Sequence, residues 1–177
     1  MKHFELPEEE EREHIRRAVA SLERTVGHRP DGWYCRYGPG VNTRRLLVEE
    51  GGFLYDSDSY ADELPWWVTV EGRCHPVVPY SLTHNDGKFT GNLGTADDWF
   101  AFMRDGFDML YAEGAEAPKM MSIGLHMRMI GHPARAAGLA RLLDHIAGRD
   151  RVWVARRIDI ARHWTTVHPY TGRGLNE

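Results

Sequence analysis

Short apolar runs that lead into amphipathic stretches constrain the fold of this chain more than any other feature. Residues 32–35 (GWYC) precede the helical TRRLLVEE, residues 119–126 (KMMSIGLH) precede a helix over 134–147, and residues 152–155 (VWVA) precede RIDIARHW. A further run, FLYDSD, ends on Asp56 and Asp58. Repeated strand-then-helix units return each strand parallel to the last, so the rhythm predicts an α/β chain built on a parallel sheet or barrel.

The helices have recognisable ends. Pro7 followed by EEEEREHIRRAVASLERTVG predicts a first helix with Ile15, Ala18, Val19, Leu22 and Val26 on one apolar face. Its acidic first turn suits the positive end of the helix dipole, and Gly27 is its stop. Asn42 is expected to cap the second helix and Gly51-Gly52 to end it. Thr95 and Asp98 read as a capping box, with Asp in place of Glu, before a helix whose Trp99, Phe102, Met103, Phe107 and Leu110 form a broad core stripe. From Tyr60 to Gly94 there is no helical period. Proline and glycine break this region into short strands and loops, and it is expected to be a functional loop insertion.

Composition narrows the partners. The 177 residues, 42% hydrophobic and 27% charged, suit one domain over 1–177 with a real core. A net charge of −4 predicts no nucleic acid and no anionic membrane as partner. No apolar stretch is long enough to span a bilayer, and the acidic start MKHFELPEEEEREH has no signal-peptide core. Cys35 and Cys74 cannot build a disulfide framework or a four-cysteine zinc site, so a reducing cytoplasm is the expected setting.

The groups with chemical reach fall at the ends of the apolar runs, where the loops of α/β folds open. His126 closes KMMSIGLH and can exchange protons near neutral pH, although by position alone a hydrogen-bonded core histidine is the simpler reading. Arg36 follows GWYC inside RYGPGVN, a glycine- and proline-rich turn that can aim a guanidinium at a carboxylate, or simply leave it on the surface. Asp56, Asp58 and Asp62 follow the second run, and Trp66-Trp67 suit an apolar wall against a flat substrate or plain packing. His84, Asn85 and Asp86 offer hydrogen bonds to amides, or form a polar turn.

Taken in order, GWYCRYGPGVNTRRLLVEEGGFLYDSDSYADELPWW, PYSLTHND, EAPKMMSIGLHMRMIGHPARAAGLARLLDHI and VWVARRIDIARHW resemble the polysaccharide deacetylase (NodB-like) family, in particular its allantoinase-type branch. The resemblance runs from about Leu6 to Tyr170 and implies the C-terminal part of a distorted, incomplete (β/α) barrel that hydrolyses C–N bonds. It implies that Arg36 orients a catalytic carboxylate, that residues 56–66 with Asp62 and Trp66 cover the family's fourth motif, and that His126 is the general acid toward the leaving nitrogen. On this reading His126, Arg36 and Asp62 are catalytic, while Asp56, Trp66, His84, Asn85 and Asp86 bind a small amide or ureide substrate.

The family's first motif, paired aspartates before glycine, and its second, His-x-x-x-His, are absent. Asp97-Asp98 opens a helix, and no two of the ten histidines are four apart. The chain is therefore expected to begin after the second motif of a barrel of about 250 residues. No metal ligand and no cofactor is expected on this chain, a divalent metal being possible only together with the missing motifs. A homo-oligomer, or a complex with a separate N-terminal half, is expected to cover the open sheet edge. The activity implied is allantoinase-like hydrolysis of a cyclic ureide. The alternatives are an N-deacetylase of carbohydrate or peptidoglycan, and a non-catalytic remnant or assembly module.

Overall fold

The α-helices among the described residues are α1 (Glu8–Val26), α2 (Thr43–Glu50), α3 (Ala96–Glu113), α4 (Met127–Ile130), α5 (Pro133–Ala147) and α6 (Arg157–Val167). The computed structural model describes residues 2–88 and 92–176. These form two compact units, one of residues up to 79 together with those from 155 onward, the other of residues 80–154. Among the described residues no helix is long and apolar enough to cross a membrane.

In the first unit, α1 starts at Pro7 and stops at Gly27, as its sequence predicts. Ile15 and Val19 pack on Leu46, Leu47 and Phe53 in a buried cluster. Leu22 and Val26, expected on the same face, are exposed. The 8-residue α2 is much shorter than the 19-residue α1. At about 1.5 Å per residue it spans only ~12 Å, too short to cover the last turns of α1. Asn42 precedes α2 but its side chain does not cap the helix; its Oδ1 accepts from Arg45 at 3.2 Å.

The sheet consists of β1 (Gly32–Trp33), β2 (Tyr55–Asp56), β3 (Trp66–Val70), β4 (Arg73–Val77) and β5 (Leu175–Asn176), in the order β1-β2-β4-β3-β5. It is open, with β1 and β5 as its edges. Pairings β1–β2, β2–β4 and β3–β5 are parallel, whereas β3 and β4 form an antiparallel hairpin. The connection is Glu71-Gly72, both with positive φ (47° and 77°), the backbone of a type I′ turn. A two-residue turn cannot make a parallel crossover, so this hairpin adds one antiparallel pairing to the parallel ones that the strand-then-helix rhythm predicts. The region 60–94 holds the short strands expected of it, but as β3 and β4 they are part of the sheet rather than of a loop insertion; residues 89–91 lie outside those described. Arg157 of α6 donates from Nη1 to Ser57 Oγ (3.0 Å), Val78 O (3.1 Å) and Pro79 O (2.9 Å), fastening α6 to the carboxyl ends of β2 and β4.

In the second unit the capping box forms as expected. Thr95 Oγ1 accepts from Asp98 N at 3.1 Å, and Asp98 Oδ2 accepts from Thr95 N at 3.2 Å. Trp99 and Met103 of α3 pack with Ile130 and Leu142 in the core of this unit, and Phe107 is also buried, while Phe102 faces outward. Two expected strands are absent. Residues 119–126 form no strand and pair, among the described residues, through a single parallel bridge, Gly124 with Asn85. The facing segment 80–88 turns after that bridge and offers no further ladder. Residues 152–155 join no ladder among the described residues, and Trp153 and Val154 are exposed. An apolar run becomes a strand only where a second strand presents its hydrogen-bonding edge.

Candidate active site

The second unit builds a histidine–carboxylate pair from two segments. Gly124 N donates to His84 O and Asp86 N donates to Gly124 O, both at 3.0 Å, which sets the register of the two chains. That register brings Asp86 to His126. Both carboxylate oxygens of Asp86 accept from His126 N at 3.0 Å, and Asp86 Oδ1 lies 2.6 Å from His126 Nδ1. Asp86 is fully buried, whereas 33% of the His126 side chain is open. An ionised carboxylate only accepts, so the contact places the imidazole proton on Nδ1 and leaves Nε2 for proton exchange.

The neighbours of this pair hold the loop in shape. Asn85 is buried, donates from Nδ2 to Tyr80 Oη at 2.6 Å, and accepts at Oδ1 from Gly87 N at 2.8 Å. His84 lies against Phe102, with ring centroids 6.2 Å apart, and Ser81 Oγ is 3.5 Å from its Nδ1. Gly87 is required by close approach, because a Cβ there would stand 2.8 Å from His126 Cε1 and 3.1 Å from Nδ1. The Asp86 contact prevents the ring from yielding without losing its hydrogen bond. Gly87→Ala is therefore expected to turn His126 out of register with Asp86 while the unit stays folded. The His126 imidazole nitrogen shifts in an NMR spectrum would show this, and shifts matching those of the unmutated chain would refute it.

Of the expected site residues, the first unit holds Asp56, Arg36, Asp62 and Trp66, and only Asp56 lies at the centre of a polar cluster. Asp56, fully buried at the end of β2, accepts from Arg44 Nε at 2.8 Å and from Arg44 Nη2 at 3.2 Å, and its Oδ2 is 3.0 Å from His75 Nε2. Burial opposes its charge, but the hydrogen bonds from His75 and Arg44 outweigh that and hold the carboxyl below the usual range. Asp58 N donates to Asp56 Oδ1 at 2.9 Å, and Asp58 Oδ1 accepts from Cys35 N at 2.7 Å. Burial, reinforced by the Asp56 charge, pushes the Asp58 carboxyl up. Cys35, buried beside it, has its thiol pushed up chiefly by burial and accepts the Trp33 indole N–H at 3.0 Å.

Arg36 is exposed, its guanidinium 4.6 Å from the centre of the Tyr37 ring, and it makes no ion pair among the described residues. Asp62 is exposed and caps its own turn, accepting from Glu63 N at 2.7 Å and Leu64 N at 3.3 Å. Trp66 is half-buried at the start of β3 and packs on the cluster of Val68, Val70 and Val77. Trp67, beside it, donates to His168 O at 2.7 Å.

Sequence reasoning missed Arg44 and His75, the donors that hold Asp56. The available signal was local: Arg44 directly follows the first residue of a short amphipathic helix, and His75 alternates with Cys74 on a strand whose other inward residue, Val77, is apolar. Nothing local pairs Asp86 with His126, which stand 40 residues apart. Among the described residues no group of three His, Cys, Asp or Glu side chains is placed to hold a metal ion.

No family model matches the chain. A Schizosaccharomyces pombe protein carrying a provisional polysaccharide deacetylase name is 39% identical over 184 residues, covering 93% of this chain and 57% of that protein. The crystal structure of Puue allantoinase superposes with a TM-score of 0.90 at 51% identity, covering 97% of this chain and 58% of its own. That of a probable polysaccharide deacetylase from Pseudomonas aeruginosa PAO1 gives 0.89 at 49% identity, again covering 97% and 58%. The chain thus spans less than two thirds of each of these relatives. The open mixed sheet, its helices and the ordered sequence segments are theirs, and this chain belongs to the polysaccharide deacetylase family.

Proposed function

We propose that this chain is part of a hydrolase acting on non-peptide C–N bonds, with a cyclic ureide of the allantoin type as substrate. The observation that carries the reading is the Asp86–His126 pair, a buried carboxylate 2.6 Å from the ring nitrogen of a partly open histidine. Water adds to the carbonyl carbon and gives its proton to a carboxylate, the C–N bond breaks, and the departing nitrogen takes the Nε2 proton of doubly protonated His126, which leaves the ring neutral with its remaining proton on Nδ1 toward Asp86. Asp86 holds the tautomer and the ring orientation for that transfer. Arg36 orients the carboxylate that activates the water, and that carboxylate comes from polypeptide outside this sequence.

His84 and the Asn85–Asp86 loop lie beside the histidine and border the substrate. Buried ureide N–H and C=O groups left unpaired cost about 1–3 kcal/mol each, so a polar loop favours a ring rich in amides. The 51% identity to Puue allantoinase supports the ureide over the runner-up, an N-acetyl sugar.

The chain is to be combined with a polypeptide equivalent to the unmatched part of the Pseudomonas aeruginosa structure. Light scattering would establish the assembly, a second copy of the chain being the other way to cover its sheet edges. Turnover of allantoin is then compared with that of N-acetylglucosamine oligomers. Ring opening is expected. Deacetylation without ring opening would establish the runner-up, and an assembly inert to both would refute the hydrolase reading.

A further inference from the structure

One side chain ties the loop that carries Arg36 to the end of β2. Asp58 Oδ1 accepts the Cys35 amide at 2.7 Å, and Cys35 directly precedes Arg36 in the chain. Asp58 is itself held from both sides. Its own amide donates to Asp56 Oδ1 at 2.9 Å, its carbonyl accepts from Arg44 Nη2 at 3.4 Å, and Asp56 is fixed in turn by Arg44 and His75. A continuous set of contacts thus runs from α2 and β4, through Asp56 and Asp58, to the peptide before Arg36.

Two departures from ordinary structure lie on this path. Asp58 Oδ2 is buried with no hydrogen-bond partner among the described residues, so the carboxyl uses one oxygen there and leaves the other unsatisfied. A buried acceptor left in that state is unfavourable, and its presence calls for an account of what the other oxygen does. Beyond Cys35 the chain turns at once. Gly38 N returns to Cys35 O at 3.2 Å, and Tyr37, not a glycine, takes a φ of 73°. That conformation is strained for a residue with a Cβ and puts the Tyr37 ring beneath the Arg36 guanidinium. The strained turn starts at the residue that Asp58 pins.

We infer that Asp58 is a positioning residue that sets where the Arg36 guanidinium sits, acting through the Cys35 amide. The inference rests on the reading of Arg36 as the group that orients the activating carboxylate. It adds that the direction of Arg36 is set from the end of β2. Loss of the Asp58–Cys35 contact releases the turn, and a displacement of about 1 Å at a catalytic group can cost on the order of 10²-fold in rate.

The test has two arms. In the chain alone, Asp58→Ala is expected to raise Cys35 amide exchange to loop rates and abolish the ring-current shift of Arg36 side-chain protons over Tyr37. Amides of Leu47 and Val77 should keep their protection. Asp58→Asn retains an oxygen for the Cys35 amide and is expected to keep both signals. Unchanged Cys35 exchange and Arg36 shifts in Asp58→Ala would overturn the inference. So would their loss in a folded Asp58→Asn, which decides the matter if the alanine variant does not fold.

In the complemented assembly, Asp58→Ala is expected to lower kcat by about 10²-fold, with no added loss when Arg36→Ala is already present. Additive losses would make Asp58 merely structural. An inert assembly would refute the hydrolase reading and leave the first arm to decide the positioning role.

Discussion

Asp86→Ala in a catalytically complete assembly is expected to reduce kcat by about 10²–10⁴-fold, the range lost when a positioned proton-transfer group is removed. Asp86 gives His126 three contacts, two from the backbone amide and one to Nδ1, and is itself wholly buried. Without it the imidazole loses both its tautomer and its orientation. Asp86→Asn should do nearly as much harm, since an amide nitrogen turned toward Nδ1 favours the tautomer protonated on Nε2. Residues that act as a unit are not additive, so the Asp86→Ala/His126→Ala double variant should be little worse than His126→Ala. Steady-state kinetics on the three variants provide the check. Unaltered turnover in Asp86→Ala would reduce the pair to a structural contact.

Asp56→Ala is expected to have the largest effect on stability, about 3–5 kcal/mol, because it leaves a buried histidine and a partly buried arginine without their shared carboxylate. For a chain of this size that lowers the melting temperature by roughly 10 °C. Acid has a related effect. The Asp56 carboxyl is held below its ordinary range, so the stability it adds is complete above about pH 4 and is lost as pH falls through the lower folded value. Asp58 is pushed upward, so its contribution has the opposite sign: stability present below about pH 4 is lost as pH rises through the folded value. Thermal melts from pH 3 to pH 7 should show a flatter acid arm for Asp56→Asn than for the unmutated chain and a steeper one for Asp58→Asn. Parallel curves for all three would dismiss both carboxyls as determinants of acid stability.

Much of the fold was legible because its signals are local. Pro7 and the glutamates behind it, the Thr95–Asp98 capping box, and the 3.6-residue spacing of Trp99, Met103 and Phe107 act within one or two turns of helix, and the structure forms these helices where they predict. The strands were harder. GWYC and FLYDSD yield only the two-residue β1 and β2, while KMMSIGLH and VWVA join no ladder beyond one bridge among the described residues. A strand is a relation between two segments, and composition records only one of them. The hairpin β3–β4 was hidden for a related reason. Its Glu71-Gly72 turn carries a glutamate at positive φ, where the favoured turn residues are Asn, Asp or Gly.

Of the candidate site, the sequence by itself determined which chemical groups are available, through the segments that resemble one family: Arg36, Asp56, Asp58, His84, Asn85, Asp86 and His126. Tertiary structure alone decided their partners. It joined Asp86 to His126 across 40 residues, and Asp56 to His75 across 19. It also gave Asp58 to the Cys35 amide across 23. A hydrogen bond requires heavy atoms within about 3 Å and a defined angle. Contacts between remote residues meet that condition only after sheet register and helix packing have placed both backbones, so no pattern of neighbouring residues can encode them.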